Sequence, residues 1–192
     1  MIALAQRLPQ PRLPDPRLVG ALAFLLFLGS IPLAGWIITH VGTSCIPHGP
    51  CVLPVAPGIE APSGVLLVGV AIVLRDVVQR CLGKRWSLIA IAIGCVATLM
   101  VALPSLVLAS GSAFLLSELA DFGVYTPLQR HHLLLAVVAS SCVGLVVDSL
   151  VFLSLAFGSL EFLAGQIIGK LWAVLIAVPL VGWLRRVAPT PA

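Results

Sequence analysis

Glu118 and Asp121 fall inside an apolar stretch together with Phe114 and Tyr125, spaced i, i+4, i+7 and i+11 from Phe114. On a helix that spacing puts two carboxylates and two aromatic rings on one face. An unpaired carboxylate in hydrocarbon costs a few kcal/mol, so such a face turns inward, toward a partner cation, a proton or a polar solute. Glu118 lies ~15 Å from the charged end of its segment at 1.5 Å per residue, close to the middle of a bilayer. Asp121 lies one turn nearer that end, and Tyr125 reads as a ring at the interface. Asp148 and Lys170 sit in two further apolar stretches joined by a short loop, each about nine residues, or ~14 Å, from it. Antiparallel neighbours would bring them level, as a structural ion pair or as two walls of a binding cavity. Gln166, one turn from Lys170, adds an amide donor and acceptor on the same face. Arg75 and Asp76 are adjacent and so point to different faces; Asp76 and Arg80 have the spacing of a pair along a helix. Arg80 reads as an interfacial anchor.

These residues must be held by elements that cross a membrane. About 60% of the chain is hydrophobic and 9% is charged. Six apolar stretches, 18–41, 61–78, 86–103, 106–125, 133–157 and 162–184, each approach the ~20 residues that span ~30 Å. Pro104 and Ser105 separate the third from the fourth, since proline resists helix continuation. The fold class expected is an all-α membrane protein, a six-helix bundle. Residues 1–17 form a Pro-rich tail, 18–185 the transmembrane domain and 186–192 a C-terminal tail. The first apolar run is too long for the core of a signal peptide and reads as a span.

The eleven Lys and Arg residues orient the bundle. Arg7, Arg12 and Arg17 precede the first stretch, and Arg80, Lys84 and Arg85 follow the second. Arg130 follows the fourth beside His131 and His132, and Arg185 and Arg186 follow the sixth. Loops 42–60, 104–105 and 158–161 have no Lys or Arg. The positive-inside rule puts both termini in the cytoplasm. The net charge of +4 therefore reflects topology and gives no reason to expect a nucleic-acid partner. Cys45 and Cys51 share the long outer loop, where a disulfide is open to them. No metal-ligand spacing, phosphate-cradling glycine loop, Ser-His-Asp set or intramembrane protease motif is present, so neither an enzyme, a metal site nor a cofactor is expected.

A set of blocks now stands together: Ala61-Pro62-Ser63-Gly64, Arg75-Asp76, Ser117-Glu118-Leu119-Ala120-Asp121 with Val124-Tyr125, Asp148-Ser149-Leu150-Val151-Phe152, and Gln166-Ile167-Ile168-Gly169-Lys170. Over residues 18–185 the chain resembles the vitamin-uptake-transporter family, the queuosine-precursor transporters. It departs at Arg80, where members often carry a glutamate. The resemblance implies a six-helix bundle similar to the substrate-capturing subunits of vitamin importers. It implies uptake of 7-deazaguanines (the 7-cyano or 7-aminomethyl precursor, or queuine) across a bacterial cytoplasmic membrane. A deazaguanine edge presents an N–H beside an amino group, which a carboxylate accepts as a bidentate pair. Glu118 or Asp148 is expected to take that edge, and Gln166 or Lys170 the carbonyl. Phe114, Phe122 or Phe152 would flank the ring, and Asp121, Arg75 and Asp76 complete the expected binding set. Energy could come from protons, from separate ATP-hydrolysing subunits or from facilitated diffusion, and small-residue faces leave a homodimer open. The alternatives are a vitamin-binding subunit of an ATP-driven importer and a non-transport membrane scaffold.

Overall fold

The computed structural model describes residues 14–45, 50–102 and 106–188. The Pro104–Ser105 break and most of the Pro-rich tail lie outside the described residues. Six helices follow one another: α1 (Pro16–His40), α2 (Val65–Leu82), α3 (Lys84–Val101), α4 (Val107–Leu128), α5 (Leu133–Phe157) and α6 (Leu163–Val187). The Asp15 carboxylate caps α1 by accepting from the Arg17 amide at 2.8 Å, with Pro16 in the first turn where its missing N–H costs nothing. The helix therefore starts two residues earlier than hydropathy suggests.

The 42–60 loop is not plain coil. It folds into β1 (Ser44–Cys45), β2 (Cys51–Ala56) and β3 (Ile59–Pro62), an antiparallel sheet in the order β1-β2-β3. The sheet is confined to this loop, and the rest of the described chain is the all-α helical membrane fold expected. Cys45 and Cys51 face each other across β1 and β2 and are joined by a disulfide. The block at 61–64, read as the start of the second span, is the end of β3 and a turn. The helix begins at Val65, because Ala61 and Pro62 pair with Leu53 and Val52. Ser63 ties this turn to α1 by donating to the Ile37 carbonyl at 3.0 Å, and Trp172 Nε1 on α6 donates to the Val55 carbonyl at 3.1 Å.

α1, α3, α4, α5 and α6 are each long and apolar enough to cross a membrane. Their outer faces expose Leu25, Met100, Leu108, Leu155 and Ile176, the surface that lipid would cover. α2 differs. It carries Arg75, Asp76 and Arg80, and twelve of its eighteen residues are buried. It packs against all five other helices. The most charged helix thus stands where other helices shield it from hydrocarbon. Ile72 and Val73 of α2 join Tyr125, Val137, Leu145 and Val174 in the main apolar core. Phe27 of α1, Ala71 of α2 and Ala90 of α3 make a second.

Gly69 lets α2 reach α6. A β-carbon there would lie 2.7 Å from both the Lys170 carbonyl oxygen and the Ala173 side chain. At the other end, Arg80 is buried; its Nη1 donates to the Gln129 carbonyl at 3.0 Å and its Nε to the Ala188 carbonyl at 2.8 Å. Those carbonyls belong to the C-terminal ends of α4 and α6, where the helix leaves acceptors without internal partners. Arg80 is therefore a buried tie between three helix ends, not the interfacial anchor expected from its position.

Candidate functional site

Two charge networks occupy the middle of the bundle. The first is built on Arg75, which is fully buried. Its Nε donates to Glu118 Oε2 at 3.1 Å, its Nη2 lies 2.6 Å from Asp121 Oδ1, and its Nη1 lies 3.0 Å from Asp76 Oδ1. Sequence spacing put Arg75 and Asp76 on separate faces, but the long arginine side chain folds back far enough to meet its neighbour. Nη1 also donates to Gln79 Oε1 at 3.2 Å, and Gln79 Nε2 donates to Thr126 Oγ1 at 2.9 Å. Ser140 on α5 donates to Asp76 Oδ2 at 3.3 Å. The guanidinium stands 5.8 Å from the centre of the Tyr125 ring. Tyr125 is wholly buried, not interfacial. Among the described residues, both oxygens of Asp121, Oδ1 of Asp76 and the Tyr125 hydroxyl have no hydrogen-bond partner; the Asp121 and Asp76 contacts to Arg75 are ion pairs. One cation thus faces three carboxylates.

The second network is built on Lys170. Its ammonium group donates to Asp148 Oδ2 at 2.6 Å, Ser149 Oγ at 2.8 Å and Gln166 Oε1 at 2.6 Å. All three N–H bonds are spent. Ser149 Oγ donates in turn to the Leu145 carbonyl at 2.7 Å. The expected pairing of α5 with α6 through Asp148 and Lys170 is present. Because Lys170 holds the Gln166 oxygen, the amide nitrogen of Gln166 is the donor left for a guest.

Between the networks lies a cavity of about 440 Å³, reached by residues of all six helices. Ser30, Ile31, Ala71 and Phe114 contribute to its walls, and Phe152 and Thr98 lie on further sides. His40, Pro62 and Leu106 line it near the sheet end of the bundle. Five of the eight expected site residues line it: Phe114, Glu118, Asp148, Gln166 and Lys170. Arg75, Asp76 and Asp121 do not; they lie behind Glu118, which belongs to both the cavity and the arginine network. Phe122 is not among the lining residues, whereas Phe152 is. Ser140, Ser149, Gln79 and Thr126 are the parts sequence reasoning did not assign. The only signal they offer is a small or amide side chain one helical turn from, or beside, a charged one.

The lining is mostly apolar with a few convergent polar groups, the usual composition of a small-molecule site. No group of three or more potential metal ligands occurs among the described residues. A chain with five membrane-length helices and such a cavity in its middle is a multi-pass membrane protein with a candidate solute site. The model of the family described as putative vitamin uptake transporter matches residues 97–184, from the end of α3 to near the end of α6. The match supports the vitamin-uptake-transporter resemblance read from the sequence blocks. It includes every cavity-lining residue of the expected set and leaves out Arg75 and Asp76. No curated protein and no solved structure matches the chain.

Proposed function

We propose that this protein imports a 7-deazaguanine precursor of queuosine across the cytoplasmic membrane of a bacterium. Both termini would be cytoplasmic, α2 would count as a sixth span, and residues 18–185 would form one transporter domain. The observation that carries this reading is the pairing of carboxylate and amide across one cavity. Glu118 commits Oε2 to Arg75, while Oε1 has no hydrogen-bond partner among the described residues. A carboxylate held in place by a buried guanidinium is a rigid acceptor for the N–H and amino group of a guanine-type edge. Gln166, fixed through its oxygen by Lys170, offers an amide N–H toward a carbonyl. Phe114 and Phe152 supply apolar walls for a flat ring. The cavity volume lies within the roughly 300–1,000 Å³ of small-molecule sites. The vitamin-binding subunit of an ATP-driven importer is the second reading, favoured by the description of the matching family.

Calorimetry on the purified protein separates these readings. The 7-cyano- and 7-aminomethyl-7-deazaguanines should bind, and analogues lacking the 2-amino group should bind roughly 10- to 100-fold more weakly, the worth of a charge-assisted hydrogen bond. Equal affinity for the analogues would remove the carboxylate clamp. Binding of a vitamin in place of every deazaguanine would favour the second reading.

A further inference from the structure

The arginine network has more negative charge than its geometry can hold. Arg75 contributes one positive charge; Asp76, Glu118 and Asp121 contribute three carboxyl groups, all within 3.1 Å of that guanidinium and all buried. No second cation joins them among the described residues in contact. Arg80, one turn along α2, directs its Nε and Nη1 to main-chain carbonyls. Lys170 on α6 donates to Asp148, Ser149 and Gln166, so that cation already serves a fourth carboxylate. α1 carries ionisable side chains only near its ends, Arg17 and His40, and α3 carries Lys84 and Arg85 at its start and Cys95 further along. α5 presents Ser140 to Asp76 and Asp148 to the cavity. Three ionised carboxyls would therefore leave two uncompensated charges on buried side chains, a cost that burial of an ion makes high.

The orphaned atoms say where relief would come from. Asp121 Oδ1 and Asp76 Oδ1 meet Arg75 as ion pairs without a hydrogen bond, and Asp121 Oδ2 and the Tyr125 hydroxyl, buried in the same network, have no hydrogen-bond partner among the described residues. A proton on a carboxyl turns an unmatched acceptor into a donor and removes a charge at the same time. Like-charged carboxyls grouped around one site share protons in this way. Glu118 is the member that also lines the cavity, so it connects the buried group to anything entering there.

We infer that Arg75, Asp76, Glu118 and Asp121 form a proton-binding site, and that its proton travels with the solute. The coupling rests on the transport reading above; the proton site does not. When a guest takes the free oxygen of Glu118, the negative charge there is shared with the guest, the hold of Arg75 on Glu118 changes, and the affinity of Asp121 and Asp76 for their proton changes with it. Binding of solute and proton then become linked, the requirement for coupled movement.

Two readouts on the purified, monodisperse protein test the two parts separately. Infrared spectroscopy at neutral pH should show a protonated-carboxyl C=O band that shifts in D2O and is lost or displaced in Asp121→Asn or Asp76→Asn, each of which lowers the excess negative charge and so should fold. Absence of that band from the wild type, or its full persistence in both variants and in Glu118→Gln, would overturn the proton site. In liposomes enclosing a pH dye, addition of radiolabelled 7-cyano-7-deazaguanine should acidify the lumen as label enters, and a protonophore should abolish accumulation above equilibrium. Entry of label with no pH change would overturn the coupling while sparing the transport reading. If no label enters for any deazaguanine, the transport reading and with it the coupling fall, and the infrared band alone decides the proton site.

Discussion

Replacing Arg75 with methionine is the sharpest perturbation of the bundle. The guanidinium contacts Glu118, Asp121 and Asp76 at 3.1, 2.6 and 3.0 Å, and no part of it is exposed. At an effective dielectric of about 20, each contact near 3 Å with an ionised carboxyl represents ~5 kcal/mol of gross attraction. Desolvation of the charged groups offsets most of that sum, and further proton uptake by the abandoned carboxyls softens the rest. Removing one partner of a buried ion group typically costs ~3–5 kcal/mol net. Arg75→Met should therefore lower the folded-to-unfolded ratio by roughly 10²- to 10³-fold or more, since ~1.4 kcal/mol is a factor of ten. Reversible unfolding in mixed detergent micelles reads this directly. Combining Arg75→Met with Asp76→Asn, Glu118→Gln and Asp121→Asn should recover much of the loss, because replacing a whole buried ion group by neutral side chains is often close to neutral. If Arg75→Met unfolds like the wild type, or if the neutral combination is no better than the single variant, the reasoning about this network is wrong.

Lys170→Met should abolish solute binding by freeing Gln166 and Asp148, yet lose less stability than Arg75→Met, because Asp148 keeps 15% of its side chain exposed and can be hydrated from the cavity; paired calorimetry and unfolding measure both. Gly94→Ala puts a β-carbon 2.6 Å from Phe114 Cζ, so that ring must move against the cavity. Solute affinity should fall about tenfold, or ~1.4 kcal/mol, with stability changing by a similar amount. Gly69→Leu should wedge α2 from α6 at the Lys170 carbonyl and destabilise the protein by ~1–3 kcal/mol, seen as a lowered thermal midpoint in detergent.

The parts of this molecule legible in the sequence were those set by local pattern. α5 occupies the stretch its hydropathy marks, Leu133–Phe157, bounded by His132 and by Gly158 in a left-handed turn. The Asp148–Lys170 pair followed from depth alone, because a short loop fixes antiparallel neighbours in register. What escaped was nonlocal or compositionally mixed. The hairpin strands carry Pro54 and Pro62, and the apolar run from Ala61 continues without a break into α2, so hydropathy could not separate strand from helix. The partners of Arg75 on α4 lie 43 and 46 positions along the chain, and only the packing of α2 against α4 makes that meeting visible. Arg80 and Tyr125 sit near helix ends, where a basic or aromatic residue normally reads as an interfacial anchor. Both are buried because the ends of α2, α4 and α6 converge there.

On the proposed reading this cavity carries a 7-deazaguanine inward and Glu118 holds it. A bacterial strain unable to make 7-deazaguanines and lacking its own importer tests both halves when it expresses this chain and receives nanomolar 7-cyano- or 7-aminomethyl-7-deazaguanine. Queuosine should return to tRNA with the wild-type chain and not with Glu118→Gln present at equal level in the membrane. Wild-type protein in the membrane without any queuosine, or full restoration by Glu118→Gln, would overturn this reading.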